Sequence, residues 1–131
     1  MISGIGQISG IGQISITVQD LGRAVAFYRD TLGLRFLFEA PPKMAFFDCG
    51  GVRLMLGVPE APEFDHPASV LYYKVGDIQA AWKSLSEAGA DLRSAPHLVA
   101  RLPGHELWMA FFRDSEGNTL ALMSEVPEPK P

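Results

Sequence analysis

Three groups of side chains in this sequence could do chemistry. His97, His105 and Glu106 form the first, because imidazole nitrogens and a carboxylate can hold a divalent ion or move a proton at a substrate. The two histidines stand eight residues apart on either side of a turn region. That spacing is no recognised metal signature, so metal binding, ligand contact, acid/base work and simple exposure all stay open for them. His66, in a proline-rich stretch, reads as solvated. Arg53 and Lys74 form the second group. Both stand in otherwise apolar segments, where an unpaired charge is costly. Either their stems pack while their heads reach water, or they meet a carboxylate or phosphate, to which the Tyr72 phenol could add a hydrogen bond. The third group is aromatic: Trp108, Phe46, Phe47, Phe111 and Phe112 offer surface for a flat ligand or, for most of them, core. No strong nucleophile pairs with a base. Cys49, the lone cysteine, reads as small apolar filler and cannot form an intrachain disulfide.

The elements that must position these groups come as one pattern written twice. Ile14, Ile16 and Val18 alternate with Ser15, Thr17 and Gln19, the period of a strand with one apolar face. Asp20 then fits a helix N-cap, Leu21, Ala24, Val25, Tyr28 and Leu32 make a helical stripe, and Gly33 can end it in the left-handed conformation. The second copy sets Leu71, Tyr73 and Val75 on a strand face, Asp77 as cap, Ile78, Ala81, Trp82, Leu85 and Ala88 as stripe, and Gly89 as stop. Cap-to-glycine distances of 13 and 12 residues make the helices nearly equal. Hairpins follow: 44–48 and 52–57 around Cys49-Gly50-Gly51, then 107–113 and 118–124 around Asp114-Ser115-Glu116-Gly117. Arg35 to Glu39 and Leu98 to Leu102 are the intervening strands. Each unit reads as strand, helix and three strands.

This order divides the chain into a loose extension over 1–10, which repeats Ile-Ser-Gly-Ile-Gly-Gln, a first module over 11–58, a Pro-rich linker over 59–68, a second module over 69–125, and a loose tail over 126–131. If the apolar strand faces pack on the helices, parity assigns the opposite face to Gln13, Ser15 and Thr17; Arg53 and Met55; Val70, Tyr72 and Lys74; and Thr119, Ala121 and Met123. These are the candidate lining of a ligand site.

Composition narrows the partners. A chain of 131 residues that is 47% hydrophobic can bury a core as one domain. A net charge of −4 and no Lys/Arg cluster argue against a nucleic-acid partner. With no apolar run of membrane-spanning length and no charged start leading into one, a soluble cytoplasmic protein is expected.

The Ala24-Val25-Ala26-Phe27-Tyr28-Arg29-Asp30-Thr31-Leu32-Gly33-Leu34 run after Asp20-Leu21, the Phe47 to Leu56 hairpin, and Phe112-Arg113-Asp114-Ser115-Glu116-Gly117-Asn118 before a last apolar strand resemble the glyoxalase, bleomycin-resistance and extradiol-dioxygenase superfamily over roughly residues 11–125. The resemblance implies an α+β fold of two βαβββ modules in a curved half-open barrel, often a homodimer, with the ligand inside the curve. In metal-dependent members of that superfamily His, Gln or Glu stands at one position on each of four strands. Here those positions fall on Gln13, seven residues before Asp20, and on Met55, Val70 and Ala121. One amide among three apolar groups makes no site for a hard divalent ion, so no cofactor is expected, with a divalent metal kept only as the lesser alternative.

The fold implied hosts many activities, so function must be argued from the site. Three readings stand: a metal-independent binder of a small organic ligand, anionic if it is what Arg53 and Lys74 meet, of the bleomycin-resistance type; a glyoxalase-like isomerase, lyase or dioxygenase working through Gln13, His97, His105 and Glu106; and a ligand-free dimeric interaction module.

Overall fold

In the computed structural model, which describes residues 5–6 and 9–127, each half of the chain follows one order. The first half runs β1 (Gln13–Thr17), α1 (Leu21–Ala26), β2 (Arg35–Ala40), β3 (Met44–Cys49) and β4 (Val52–Gly57). The second runs β5 (Leu71–Lys74), α2 (Ile78–Glu87), β6 (Asp91–Leu102), β7 (His105–Arg113) and β8 (Thr119–Pro127). Two four-stranded mixed sheets result, ordered β1-β4-β3-β2 and β5-β8-β7-β6, and the α+β fold does not close into a barrel. In both, the helix supplies the crossover that lets the first strand lie parallel to the last, while the hairpin strands pair antiparallel.

The helices start where the sequence says they should. Asp20 accepts the Arg23 backbone N–H and Asp77 that of Ala80, each at 3.0 Å, so each carboxylate satisfies a first-turn donor. Gly33 and Gly89 then turn the chain at φ +74° and +77°, a region costly for residues with a Cβ. Between cap and stop the copies differ: α1 widens into a π turn over Phe27–Thr31, with the Leu32 N–H reaching the Phe27 carbonyl. A π turn holds one residue more than the α turn it replaces, which accounts for cap-to-glycine distances of 13 and 12.

One core serves both halves. Ile16, Val18, Tyr28, Phe47, Leu54 and Leu56 of the first pack in the same buried cluster as Ile78, Leu85, Phe112 and Leu120 of the second. Each such side chain contributes roughly 1.5–3 kcal/mol on burial. A polar clasp joins the halves beside this core. The Tyr28 hydroxyl donates to Asp114 Oδ2 at 2.7 Å, and Asn118 Nδ2 donates to the Thr17 carbonyl at 3.0 Å. Glu116 Oε1 accepts the backbone N–H groups of Gln19 and Asp20 at 2.9 and 2.8 Å, while Oε2 accepts Arg23 Nε at 2.7 Å.

Several details differ from the sequence reading. Strand β6 begins at Asp91 rather than Leu98: its first seven residues alternate in burial, but they are mostly polar or small and include Pro96, which is tolerated on an edge strand that pairs with β7 through three register shifts. Strand β8 continues to Pro127, so Val126 and Pro127 pair with Glu106 and His105 instead of starting a tail. The linker is not featureless, since Pro62–Phe64 form a 3-10 turn and Ala68 packs on the core. Most of the repeated N-terminal extension, and the tail from 128 on, lie outside the described residues. Among the described residues, no helix is long and apolar enough to cross a membrane.

Candidate binding site

The parity of β1 and β4 puts Ile14, Ile16, Leu54 and Leu56 toward α1 and leaves Gln13, Ser15, Thr17, Arg53, Met55 and Gly57 on the other, inner face. Their parallel register sets Gln13 beside Arg53, Ser15 beside Met55 and Thr17 beside Gly57. Next door, β3 adds Phe46 opposite Met55 and Met44 opposite Gly57, and β2 adds Phe38, stacked on Phe46 with ring centroids 4.7 Å apart.

Arg53 is held in place on this face. Its Nε donates to Gln13 Oε1 at 2.8 Å, and its guanidinium lies 5.3 Å from the centre of the Phe46 ring. Gln13 in turn points its amide nitrogen at Met55 Sδ, 3.7 Å away. Among the described residues no carboxylate lies within 4.0 Å of the Arg53 head, which leaves an oriented positive charge over an aromatic ring. Two residues along the strands, a pocket of about 160 Å³ opens, lined chiefly by Ser15, Thr17, Met44, Met55, Gly57 and Phe64. Residues 58–64 form its outer wall as a strap tied at both ends, by the Val58 N–H to the Lys43 carbonyl at 3.1 Å and by the Thr17 hydroxyl to the Phe64 carbonyl at 3.0 Å.

The second sheet uses the same face differently. Tyr72 sits beside Ala121 and Lys74 beside Met123. Tyr72 meets the Phe111 ring edge-on at 6.0 Å and His97 stacks on it at 6.3 Å, so Ala121 retains no exposed surface. Val70 lies just ahead of β5 and is exposed.

The sequence candidates for metal or proton chemistry do not converge. His97 pairs with Met109, four residues up β7 from His105, a separation of ~13 Å along the strand. His105 Nε2 faces Glu125 at 3.8 Å, whereas Glu106, the next residue on the strand, points to the opposite face and accepts Trp108 Nε1 at 3.3 Å. Trp108 itself packs against the core, on the side of β7 away from Phe111, and so leaves the candidate lining. Among the described residues, no three His, Cys, Asp or Glu side chains are grouped as ion ligands. At the four strand positions where a metal-binding set would stand, Gln13 has its amide oxygen committed to Arg53, Met55 and Val70 offer no hard donor, and Ala121 is buried beside aromatic rings. This donor set does not fit a hard divalent ion. At Cys49, burial first and then the neighbouring Asp48 charge raise the thiol pKa, which disfavours the reactive thiolate.

Sequence reasoning missed Met44, Phe38, Gly57 and Phe64. Gly57 continues the 53, 55 parity and was within reach of the same count. Phe64 was not, because nothing in a Pro-rich linker says that it folds back over a strand.

Comparison with known proteins agrees with this architecture. No curated protein matches the sequence. Among solved structures, a lactoylglutathione lyase from Agrobacterium tumefaciens is similar at 23% identity and TM-score 0.69, covering 89% of this chain and 94% of its own. A member of the glyoxalase/bleomycin resistance protein/dioxygenase superfamily from Sphaerobacter thermophilus is similar at 24% identity and TM-score 0.74, covering 90% and 98%. The fosfomycin resistance protein FosX from Listeria monocytogenes follows at 16% and 0.69, covering 90% and 94%. At these identities the likeness is one of fold. A sequence model of the superfamily matches residues 10–122, and on that match the chain belongs to the Glyoxalase/Bleomycin resistance protein/Dioxygenase superfamily.

Proposed function

We propose that the protein binds a small organic anion on the inner face of its first sheet, without a divalent ion, and acts by sequestration or sensing. The observation that carries this reading is Arg53, fixed by Gln13 above Phe46 with no carboxylate partner among the described residues, beside an apolar pocket. Arg53 is exposed and so hydrated in the free protein; a ligand that covers it from the apolar cleft leaves its charge unpaired unless that ligand brings an opposite one. The scattered positions of His97, His105 and Glu106 favour binding over the glyoxalase-like enzyme reading.

The test is a thermal-shift screen of small organic acids and neutral analogues, run with metal analysis of protein purified without chelators. Acids should raise the melting temperature, Arg53→Met should abolish that rise, and metal should be substoichiometric. A stoichiometric divalent ion lost on Gln13→Ala would sink the metal-free reading, and a screen without hits would sink the binding reading. The assembly we propose is a homodimer, since edge strands β2 and β6 expose Phe36, Leu37, Leu98 and Val99. Sedimentation equilibrium should return twice the 14.3 kDa chain mass, and a monomer at all concentrations would refute it.

A further inference from the structure

We infer that the ligand is an amphipathic organic acid, laid along β4 with its anionic head on Arg53 and its apolar end beneath the 58–64 strap, in space that Gly57 leaves open. The inference rests on the binding reading above and adds the ligand's shape, polarity and direction.

The direction follows from charge. Arg53 and Gly57 share one face of β4, four residues apart, a run of ~13 Å. At the Arg53 end, Nε is taken by Gln13, and the two terminal nitrogens remain to receive a carboxylate. At the other end Glu60 stands on the pocket rim and repels an anion. A head group therefore has one favourable end of the run.

The shape follows from the walls. Met55 lies midway and Met44, Val58, Pro59 and Phe64 surround the far end, so the middle and end of the ligand are met by apolar atoms. Thr17 spends its hydroxyl on the Phe64 carbonyl, whereas the Ser15 hydroxyl on the floor has no hydrogen-bond partner among the described residues. A pocket of about 160 Å³ is smaller than the ~300–1,000 Å³ of a site that encloses a drug-sized ligand, so it takes one end of the molecule while the rest lies along the strand. Gly57 is what makes the end open: a Cβ there would touch Met55 Cε at 3.7 Å, and anything larger would enter the space itself.

Calorimetric titration of the full chain at low salt with octanoate, butanoate and octanol tests this. Octanoate should bind about tenfold tighter than octanol, the size of one charge-assisted contact at a partly exposed site, and tighter than butanoate. Arg53→Met, which keeps the stem on Phe46, should erase the advantage over octanol. Gly57→Val should erase the advantage over butanoate, and Phe64→Ser, at a residue 59% exposed, should weaken octanoate in the same way if Gly57→Val does not fold. Octanol binding as tightly as octanoate, or either advantage surviving its variant, would overturn the amphipathic acid while leaving a binding protein. Failure of all three probes to bind would overturn this inference, and the preceding reading falls separately if its acid screen is also empty. Protection of the face by a second copy, seen as binding only on dimer dissociation, would overturn it too.

Discussion

Deleting a single hydroxyl should measure how firmly the two halves are joined. Tyr28 has no exposed surface, and its hydroxyl donates at 2.7 Å to Asp114, which is 4% exposed. Burial first, then the Asp114 charge, pushes the Tyr28 phenol far above its ordinary range, so it stays a donor at every accessible pH. Asp114 accepts three further hydrogen bonds, from the Glu116 and Asn118 backbone N–H groups at 2.8 Å and from Asn118 Nδ2 at 2.9 Å. A hydrogen bond to a charged group contributes ~1.5–3 kcal/mol. Because the carboxylate keeps its other donors, Tyr28→Phe should cost about 2 kcal/mol and no more. Asp114→Ala strips the acceptor from all four donors at once and should cost at least ~4 kcal/mol, against a total near 7–20 kcal/mol for a chain of 131 residues.

Urea unfolding followed by circular dichroism, at one protein concentration, reads both numbers. The midpoint of Tyr28→Phe should fall by about 1 M with the slope unchanged, and the double variant should show about 2 kcal/mol of coupling. A Tyr28→Phe protein within 0.5 kcal/mol of the parent, roughly the noise of such measurements, or an Asp114→Ala protein no weaker than Tyr28→Phe, would refute the claim that this bond carries the junction.

Two further outcomes follow from the same junction and from the repeat. Desolvation pushes the Glu116 carboxyl upward, but hydrogen bonds from Arg23, the Asp20 and Gln19 N–H groups and Ser115 outweigh it and bring the pKa from 4.5 to about 2. The unfolded chain therefore takes up this proton first as pH falls, so the stabilisation is whole above 4.5 and drains away toward 2. Discounted for the exposure of Arg23, it is on the order of 2 kcal/mol. Unfolding at neutral pH and midway between the two pKa values should show the parent losing more than Glu116→Gln, and equal losses would dismiss the carboxylate as the cause. Gly33→Ala and Gly89→Ala should each cost about 1–2 kcal/mol in thermal melts, since both sit at positive φ with open space around a new Cβ, and the loss is backbone strain alone. Asn at either position should recover part of it; a larger loss from Asn would show that side-chain crowding decides instead.

The fold was legible because its signals are local. Asp20, Asp77, Gly33 and Gly89 act within a single turn, and the strand parity is a count of two, so both modules and their inner faces could be read from residue spacing. Trp108 was offered as ligand-facing surface on its aromatic character alone, with no parity worked out for β7. Once Phe111 is set beside Ala121, Trp108 must face the core. The hold of Gln13 on Arg53 and the strap across the pocket depend on which strands become neighbours and on where a linker returns, and no local pattern carries that. The clasp was half visible: Asp114 and Glu116 read as turn residues, but their partners lie 86 and 93 positions away.

The repeat also bears on why the proposed site falls on the first sheet. Counting from the two capping aspartates pairs Ser15 with Tyr72 and Thr17 with Lys74, and the strand registers then pair Met55 with Ala121 and Gly57 with Met123. At the first rung a small residue faces a large one in both modules, with the sizes exchanged: Ser15 over Met55, Tyr72 over Ala121. At the second rung the exchange is incomplete. Thr17 and Gly57 are both small and line the pocket, whereas Lys74 and Met123 are both long, and the recess beside Lys74 is bounded by Val75, Gly76 and Glu125 instead. A size change at that rung is therefore one difference between the two modules, made with no change to the strands, the caps or the core, and the 58–64 strap is another. Met123→Gly together with Lys74→Thr should therefore open a second pocket beside Tyr72. If binding stoichiometry for octanoate does not rise above that of the parent in this double variant, the rung is not what distinguishes the two halves.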